Sequence, residues 1–131
     1  MKALVVDDSS TMRKFLKKIL AEVDFEVLQA TNGREALEVL QQQPGIALCL
    51  IDWNMPEMDG MELLSCLRAD HRFDAIRAMM VTTEMEQQEV AQALEQGANE
   101  YVMKPFTREV ILEKLLLLGF PAHESTTQCA P

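Results

Sequence analysis

Runs of apolar residues alternate with amphipathic segments along most of the chain. The first run, "KALVVDD", is short and rich in valine, as expected for a buried β-strand. The next segment, "STMRKFLKKILAE", has apolar residues at the i, i+3, i+4, i+7, i+8 spacing of one helical stripe: Met12, Phe15, Leu16, Ile19 and Leu20. The pattern therefore predicts a strand followed by a helix.

The same alternation continues to the end of the pattern. The further predicted strands are "FEVLQA", "IALCLID", "RAMMVTT" and "EYVMK". The further predicted helices are "TNGREALEVLQQQPG", "GMELLSCLRAD", "EMEQQEVAQALEQGA" and "TREVILEKLLLLG". Asn32 and Thr107 are suited to cap the second and fifth helices, and Gly97 can end the fourth. Because parallel neighbours need crossovers, the order predicts an α/β fold with a parallel five-stranded sheet and five helices on both faces.

Length and composition fit one globular domain. The chain has 131 residues, of which 48% are hydrophobic and 25% charged. We expect the domain to cover residues 1–120 and the last segment, "PAHESTTQCAP" (121–131), to form a polar, disordered tail, since it has no period. Cys49 and Cys66 are expected to be small core residues.

The charge and hydropathy of the chain exclude several classes of partner. Twelve basic against twenty-one acidic residues give a net charge of -9, which would repel nucleic acid and anionic membrane surfaces. No apolar run has the length of a membrane span, and the amino-terminal run is too short for a signal peptide. The sequence therefore predicts a cytoplasmic protein without membrane insertion.

Polar side chains gather at the carboxyl ends of the predicted strands. They are Asp7 and Asp8 after the first strand, Asp52 after the third, Thr82 and Thr83 after the fourth and Lys104 after the fifth. Ligands of open parallel sheets bind at this edge. Three carboxylates there would repel one another unless a cation joined them. Because all the candidate ligands are hard oxygens, we expect Mg²⁺, with Mn²⁺ as a substitute, and a phosphoryl oxygen to complete the coordination.

A carboxylate at such a site can itself be the nucleophile that accepts a phosphoryl group. The ammonium group of Lys104 would neutralise charge on the phosphoryl oxygens, and the hydroxyl group of Thr82 could donate a hydrogen bond to one of them. Pro105 would hold the loop that directs Lys104 inward, with the bond between the two in either the cis or the trans form.

Four segments together resemble the signature segments of response regulator receiver domains, most of all those that act alone in chemotaxis. They are "VVDDSSTMRKFL", "LIDWNMPEMDG", "MMVTTE" and "GANEYVMKPFT". The resemblance implies a flavodoxin-like strand order 2-1-3-4-5 and makes Asp52 the phosphoacceptor. It makes Asp7 and Asp8 the acidic pair, with Asp8 the direct metal ligand. It also implies that Asn54 lends its backbone carbonyl to the metal and flanks the path of phosphoryl access.

The resemblance assigns further roles around the site. Thr82 and Lys104 would contact the phosphoryl group, and Tyr101 would be the mobile switch aromatic that responds to Thr82. Thr83 stands where receivers usually have Ala or Gly, so access to the phosphoryl group is expected to be narrower and its lifetime altered. Glu84 matches the chemotaxis pattern beside the site.

A receiver of this kind would act through partner proteins and would catalyse only its own phosphorylation and dephosphorylation. The expected donor is a sensor histidine kinase or a phosphotransfer domain. The expected target docks on helix four, strand five and helix five, and the flagellar motor switch is one candidate, although the Gln- and Glu-rich helix four puts it in doubt. Helix five is apolar nearly all round, which fits either a docking face or a helix wedged deeply into the core.

Three other functions compete with a chemotaxis receiver. The chain could be a stand-alone receiver in another phosphorelay. It could be a metal-dependent phosphatase with an aspartate nucleophile, but that chemistry expects a second Asp where Asn54 stands. A flavodoxin-like carrier of a flavin phosphate should have a hydroxyl- and Gly-rich loop after the first strand, where Asp7 and Asp8 would repel phosphate.

Overall fold

The structure is a computed structural model that describes residues 1–53, 55, 58–83 and 89–120. Within these residues the strands form one parallel sheet in the order β2-β1-β3-β4-β5, as the sequence predicted. The strands are Lys2–Val6 (β1), Glu26–Ala30 (β2), Ile46–Asp52 (β3), Arg77–Thr82 (β4) and Glu100–Met103 (β5). The described helices are Ser10–Glu22 (α1), Gly33–Gln42 (α2), Gly60–Ala69 (α3), Val90–Glu95 (α4) and Arg108–Leu117 (α5). Residues 84–88, predicted to begin the fourth helix, and the predicted tail 121–131 lie outside the described residues.

Side chains at the helix ends explain where several helices begin and end. Asn32 accepts a hydrogen bond from the backbone of the third residue of α2, and Thr107 does the same for α5, as predicted. Asp59 and Glu62 form a reciprocal capping box at the start of α3. Gly97 follows α4 with a positive φ of 120°, a conformation that glycine adopts without steric cost. A short 3₁₀ helix, His71–Phe73, was not predicted.

The sheet separates two hydrophobic clusters. Alternate residues of β1 point to opposite faces: Ala3 and Val5 pack with α1 and α5, whereas Leu4 and Val6 pack with α2, α3 and α4. Burial on both faces explains why the strands are apolar without interruption. None of the helices in the described part of the chain is long and apolar enough to cross a membrane.

Two side chains expected in the core lie on the surface. Phe15 is 40% exposed and packs its ring against Phe106, with 5.9 Å between the ring centroids. Its neighbour is thus the loop after β5 and not the sheet, because Phe15 lies at the margin of the apolar stripe of α1. Cys66 is exposed, since Leu63, Leu64 and Leu67 occupy the buried side of α3.

Helix α5 buries one side only. Ile111 and Leu115 are buried in the cluster shared with α1, while Leu116 and Leu117 are 53% and 68% exposed. The interpretation of α5 as a helix wedged into the core is therefore wrong. Leu116 and Leu117 therefore expose apolar surface of α5 to solvent.

Arg68 connects α3 to the segments that lead into β4 and β5. Its guanidinium group donates to the carbonyl oxygens of Phe73 (3.1 Å), Ile76 (2.6 Å) and Gly97 (2.9 Å), and to the side chain of Asn99 (2.9 Å). Asn99 in turn accepts a hydrogen bond from the backbone of Ala78, the second residue of β4. These contacts satisfy backbone groups at the edge of the sheet opposite the carboxylates.

The first turn of α3 approaches the end of β3 very closely. The backbone N–H of Gly60 donates to the carbonyl oxygen of Trp53 at 3.0 Å. A Cβ atom on Gly60 would lie 2.6 Å from the carbonyl oxygen of Asp52 and 3.0 Å from the Cα of Trp53. Because both of these are backbone atoms, no side-chain rotation could relieve the overlap, and α3 can sit here only with glycine.

We expect Gly60→Ala to lower the free energy of unfolding by about 1–3 kcal/mol, since α3 must shift away from β3. Gly33→Ala is the comparison variant, because Gly33 is likewise the first residue of a capped helix. The three atoms nearest to its Cβ belong to the side chain of Met58, of which Cγ and Sδ can rotate away while Cβ, at 2.9 Å, must shift, so a smaller loss is expected. Urea unfolding of both variants measures the difference. Equal losses in the two variants would contradict the backbone overlap.

Candidate functional site

Three aspartates meet at the carboxyl edge of the sheet. Asp7 directly follows β1, and Asp52 is the last residue of the neighbouring strand β3. Each of Asp7, Asp8 and Asp52 has a carboxylate oxygen within 4.8 Å of the others. Asp7 and Asp52 are buried, with 1% and 6% of their surface exposed, while Asp8 is exposed. The adjacency of β1 and β3 thus produces the close group that the sequence led us to expect.

Lys104 brings one positive charge to this group. Its ammonium nitrogen lies 3.3 Å from Asp52 Oδ1 and 3.7 Å from Asp7 Oδ2. The backbone N–H of Lys104 donates to the carbonyl oxygen of Thr82 at 2.7 Å, which continues the pairing of β5 with β4 beyond Met103. The peptide bond between Lys104 and Pro105 is cis. One ammonium group faces three carboxylates, so their charges do not balance.

The two oxygens of Asp7 have different surroundings. Oδ1 accepts a hydrogen bond of 2.8 Å from the backbone N–H of Ser9. Oδ2 is buried and has no hydrogen-bond partner among the described residues, since the ammonium nitrogen of Lys104 lies beyond hydrogen-bond distance. A buried carboxylate oxygen without a donor is costly, and a bound cation would remove that cost.

Arg13 holds the backbone at the start of this loop. Its guanidinium group donates to the main-chain carbonyl of Asp7 at 2.7 Å and to the side chain of Gln29 at 3.0 Å. No sequence pattern predicted this contact, because Arg13 is one of four basic residues on α1 and resembles the rest of a solvated face.

The surroundings of Asp52 oppose its ionisation. Burial raises the pKa of Asp52 to about 6, and the negative charge of Asp7 contributes in the same direction. The charge and hydrogen bond of Lys104 lower this pKa, and Asp8 raises it slightly. Without a further positive charge, the ionised carboxylate is therefore disfavoured in the folded protein.

The donor set suits Mg²⁺. All three side chains offer carboxylate oxygens, and ligands of Mg²⁺ at about 2.0–2.1 Å lie at most about 4.2 Å apart, so small movements would close the group around the ion. Asn54, whose backbone carbonyl was expected to join them, lies outside the described residues. The unpartnered oxygen of Asp7 and the raised pKa of Asp52 are both features that a bound cation would stabilise.

Thr82 and Thr83 follow at the end of the next strand. The backbone N–H of Trp53 donates to the carbonyl of Val81, so the end of β3 pairs with β4 one residue before Thr82. Thr82 is fully buried, and its hydroxyl group donates to the carbonyl oxygen of Thr83 at 3.2 Å. Thr83 is half-buried.

Tyr101 lies in β5, the edge strand of the described sheet. Its ring is half-buried and packs against the cluster beneath α2, α3 and α4. Glu84, which the sequence analysis assigned to phosphoryl access, lies outside the described residues.

Comparisons with known proteins agree with this fold. A family model described as "Response regulator receiver domain" matches residues 3–116. The chain is 49% identical over 121 residues to "Chemotaxis protein CheY1" of Helicobacter pylori strain J99, an alignment that covers 91% of this chain and 98% of that protein.

Solved structures give the same result. The chemotaxis response regulator CheY4 of Vibrio cholerae matches with a TM-score of 0.82 and 32% identity, covering 89% of this chain and 97% of that one. A "probable two-component system response regulator/GGDEF domain protein" matches with a TM-score of 0.83 and 33% identity. The match covers 89% of this chain but spans only about half of that longer protein, 48% of its length.

We expect Asp52→Asn to make the metal-free protein more stable at neutral pH. Because the carboxyl pKa of Asp52 is higher in the folded than in the unfolded state, the free energy of unfolding falls as pH rises from the unfolded pKa of about 3.9 through the folded value of about 6. Asparagine removes this penalty, so the free energy of unfolding should rise on the order of 1–2 kcal/mol at pH 7.5 and change little near pH 4.

Urea unfolding in the presence of a chelator measures the effect at both pH values. Glu38→Gln, which neutralises an exposed carboxylate of α2, should change stability by less than about 0.5 kcal/mol at either pH. A loss of stability in Asp52→Asn at pH 7.5 would contradict the expectation that the ionised carboxylate of Asp52 destabilises the folded protein.

Proposed function

This chain belongs to the response regulator receiver domain family, and from that premise we propose that Asp52 accepts a phosphoryl group in the presence of Mg²⁺. A CheY-like receiver is a signalling protein of two-component systems, and here phosphorylation would switch the binding of a downstream protein. The observation that carries the proposal is that Asp7, Asp8 and Asp52 lie together and that the ammonium group of Lys104 contacts two of them, Asp7 and Asp52.

The chemistry is a transfer of a phosphoryl group from the phosphohistidine of a sensor kinase or phosphotransfer domain. A carboxylate oxygen of Asp52 attacks phosphorus, the P–N bond breaks, and the imidazole nitrogen leaves with the electron pair. Lys104, 3.3 Å from Asp52, is close enough to pair with a phosphoryl oxygen after the attack. The buried hydroxyl group of Thr82, which donates to the carbonyl oxygen of Thr83, can rotate and donate to another phosphoryl oxygen instead.

The residues proposed to hold Mg²⁺ or Mn²⁺ are Asp7, Asp8, Asp52 and the backbone carbonyl of Asn54. Asp8, the exposed member, is the proposed direct ligand, and the unpartnered oxygen of Asp7 supports a cation beside it. When bound, the ion supplies positive charge that neutralises the carboxylates and the phosphoryl oxygens.

Access to Asp52 is proposed to pass between Asn54, Thr83 and Glu84. The half-buried Thr83 carries two more heavy atoms beyond Cβ than the Ala or Gly usual in the family. This bulk should narrow the path for donor and water, and so alter the lifetime of the phosphorylated form.

The proposed switch couples Thr82 to Tyr101. When Thr82 is drawn to the phosphoryl group it leaves space at the end of β4, and the ring of Tyr101 turns inward. This would change the surface formed by α4, β5 and α5, where the exposed Leu116 and Leu117 offer apolar area to a partner. The downstream protein is proposed to dock there.

The pathway is proposed to be chemotaxis, with the flagellar motor switch as target, because CheY1 of Helicobacter pylori and CheY4 of Vibrio cholerae are chemotaxis proteins. A receiver in another phosphorelay is the alternative. The proposed location is the cytoplasm, and the net charge of -9 argues against nucleic acid and anionic membranes as partners. The Asn at position 54 and the family membership argue against a phosphatase that acts on external substrates.

Treatment with a small phosphodonor and Mg²⁺ should add one phosphoryl group per chain, detected by intact-mass spectrometry. The addition should be absent in Asp52→Asn and in the presence of a chelator, because both the nucleophile and the cation are required. Glu38→Gln, which changes an exposed carboxylate away from the site, should be phosphorylated like the wild type. Addition that survives Asp52→Asn would mean that another residue is the nucleophile.

Binding of Mg²⁺ should change the fluorescence of Trp53, the only tryptophan of the chain and the residue next to Asp52. Asp8→Asn should weaken the apparent affinity by more than about tenfold, since even residues that only orient ligands commonly contribute that much. Glu38→Gln should titrate like the wild type. An unchanged signal together with no heat of binding in calorimetry would count against the metal site.

A further inference from the structure

An ion pair joins α5 to the edge strand β5. The ammonium nitrogen of Lys114 lies 3.0 Å from Glu100 Oε1, and only 21% and 19% of the two side chains are exposed. The same oxygen of Glu100 accepts a hydrogen bond of 3.0 Å from the backbone N–H of Tyr101. Glu100 is therefore fixed by two donors, and it holds the ammonium group in one place.

That ammonium group also lies over the ring of Tyr101, 4.8 Å from its centroid. Tyr101 packs with the cluster beneath α2, α3 and α4, whereas the next residue, Val102, packs with the cluster of α1 and α5. Lys114 thus reaches from α5 around the open edge of the sheet to an aromatic ring on the other face. A cation in this position is attracted to the face of the ring, and more strongly where both are partly withdrawn from water.

We propose that Lys114, anchored by Glu100, is a positioning residue that holds the Tyr101 ring in its half-buried position and so sets how readily the ring turns inward. The inference rests on the proposed function in so far as Tyr101 is the switch. In this proposal, turning inward takes the ring away from the ammonium group and breaks the 4.8 Å contact. The Lys114 contact therefore favours the unphosphorylated arrangement.

The size of the effect follows from the type of contact. Cation–π contacts of partly exposed groups change an equilibrium by about three- to tenfold. Loss of the Lys114 contact should raise the population of the inward ring position by that factor. Loss of the Glu100 anchor alone should raise it less, because the ammonium group remains near the ring.

Tyr101 can be observed by itself, because it is the only tyrosine of the chain. Incorporation of 3-fluorotyrosine gives a protein with one ¹⁹F reporter. Chemical-exchange saturation transfer NMR then measures the population of the minor position of the ring. The variants are Lys114→Met, which keeps the apolar stem, Lys114→Arg, which keeps a cation, and Glu100→Gln. Lys17→Met, on the exposed side of α1, controls for the loss of one positive charge.

We expect the minor population to rise about three- to tenfold in Lys114→Met, to rise less in Glu100→Gln, and to stay at the wild-type value in Lys114→Arg and Lys17→Met. Far-UV circular dichroism and urea unfolding check that each variant is folded. Equal minor populations in the wild type and Lys114→Met, or no detectable minor position in Lys114→Met, would overturn the proposal. A rise in Lys114→Arg as large as in Lys114→Met would overturn it as well.

A second arm separates this inference from the proposed function. The same resonance is recorded after addition of a small phosphodonor and Mg²⁺. If Lys114→Met changes the populations but the phosphodonor moves no signal, the positioning role of Lys114 stands and the phosphorylation switch fails. If the phosphodonor moves the signal but Lys114→Met equals the wild type, the switch stands and Lys114 has no part in it.

Discussion

The mutual repulsion of three carboxylates at one edge of the sheet is the constraint on which the rest of the structure depends. Asp7 and Asp52 are buried side by side, and the single ammonium group of Lys104 does not neutralise them and Asp8 together. Their position is imposed by β1 and β3, whose apolar residues are buried on both faces of the sheet. Hydrophobic burial therefore maintains an arrangement that the charges oppose, and the proposed bound cation would lower this unfavourable electrostatic energy.

Strand β5 connects this edge to the surface formed by α4, β5 and α5. It ends beside Lys104, whose backbone is hydrogen-bonded to Thr82, and it carries Tyr101 three residues earlier. Because β5 is the edge strand of the described sheet, Lys114 can reach around it from α5 to the other face. A short strand thus joins Lys104 and Thr82, which are proposed to contact the phosphoryl group, to Tyr101 and to the helix that contacts its ring.

Apolar periodicity was sufficient for the alternation of strands and helices, and residue type was sufficient for the caps at Asn32 and Thr107. The strand order, and with it the meeting of the aspartates, followed from the resemblance to receiver domains, because periodicity does not say which strands are neighbours. The sequence did not predict that Phe15 and Cys66 are exposed. The periodicity of a helix shows which side is apolar, but not which residues at the border of that side are covered by neighbouring segments. The contacts of Arg13 and Arg68 with backbone carbonyls also gave no signal, since a long basic side chain on a helix has the same pattern whether it is solvated or bound.

The division of the core by the sheet has a consequence for how this sequence can diverge. Substitutions beneath α1 and α5 and substitutions beneath α2, α3 and α4 are separated by a layer of backbone, and changes that far apart with no shared partners usually combine additively. Epistasis should therefore be concentrated within each half of the interior. One side can therefore drift or be redesigned while the other keeps its packing. Because α4 and α5 pack on different sides of the sheet, either helix can be remodelled without repacking the other.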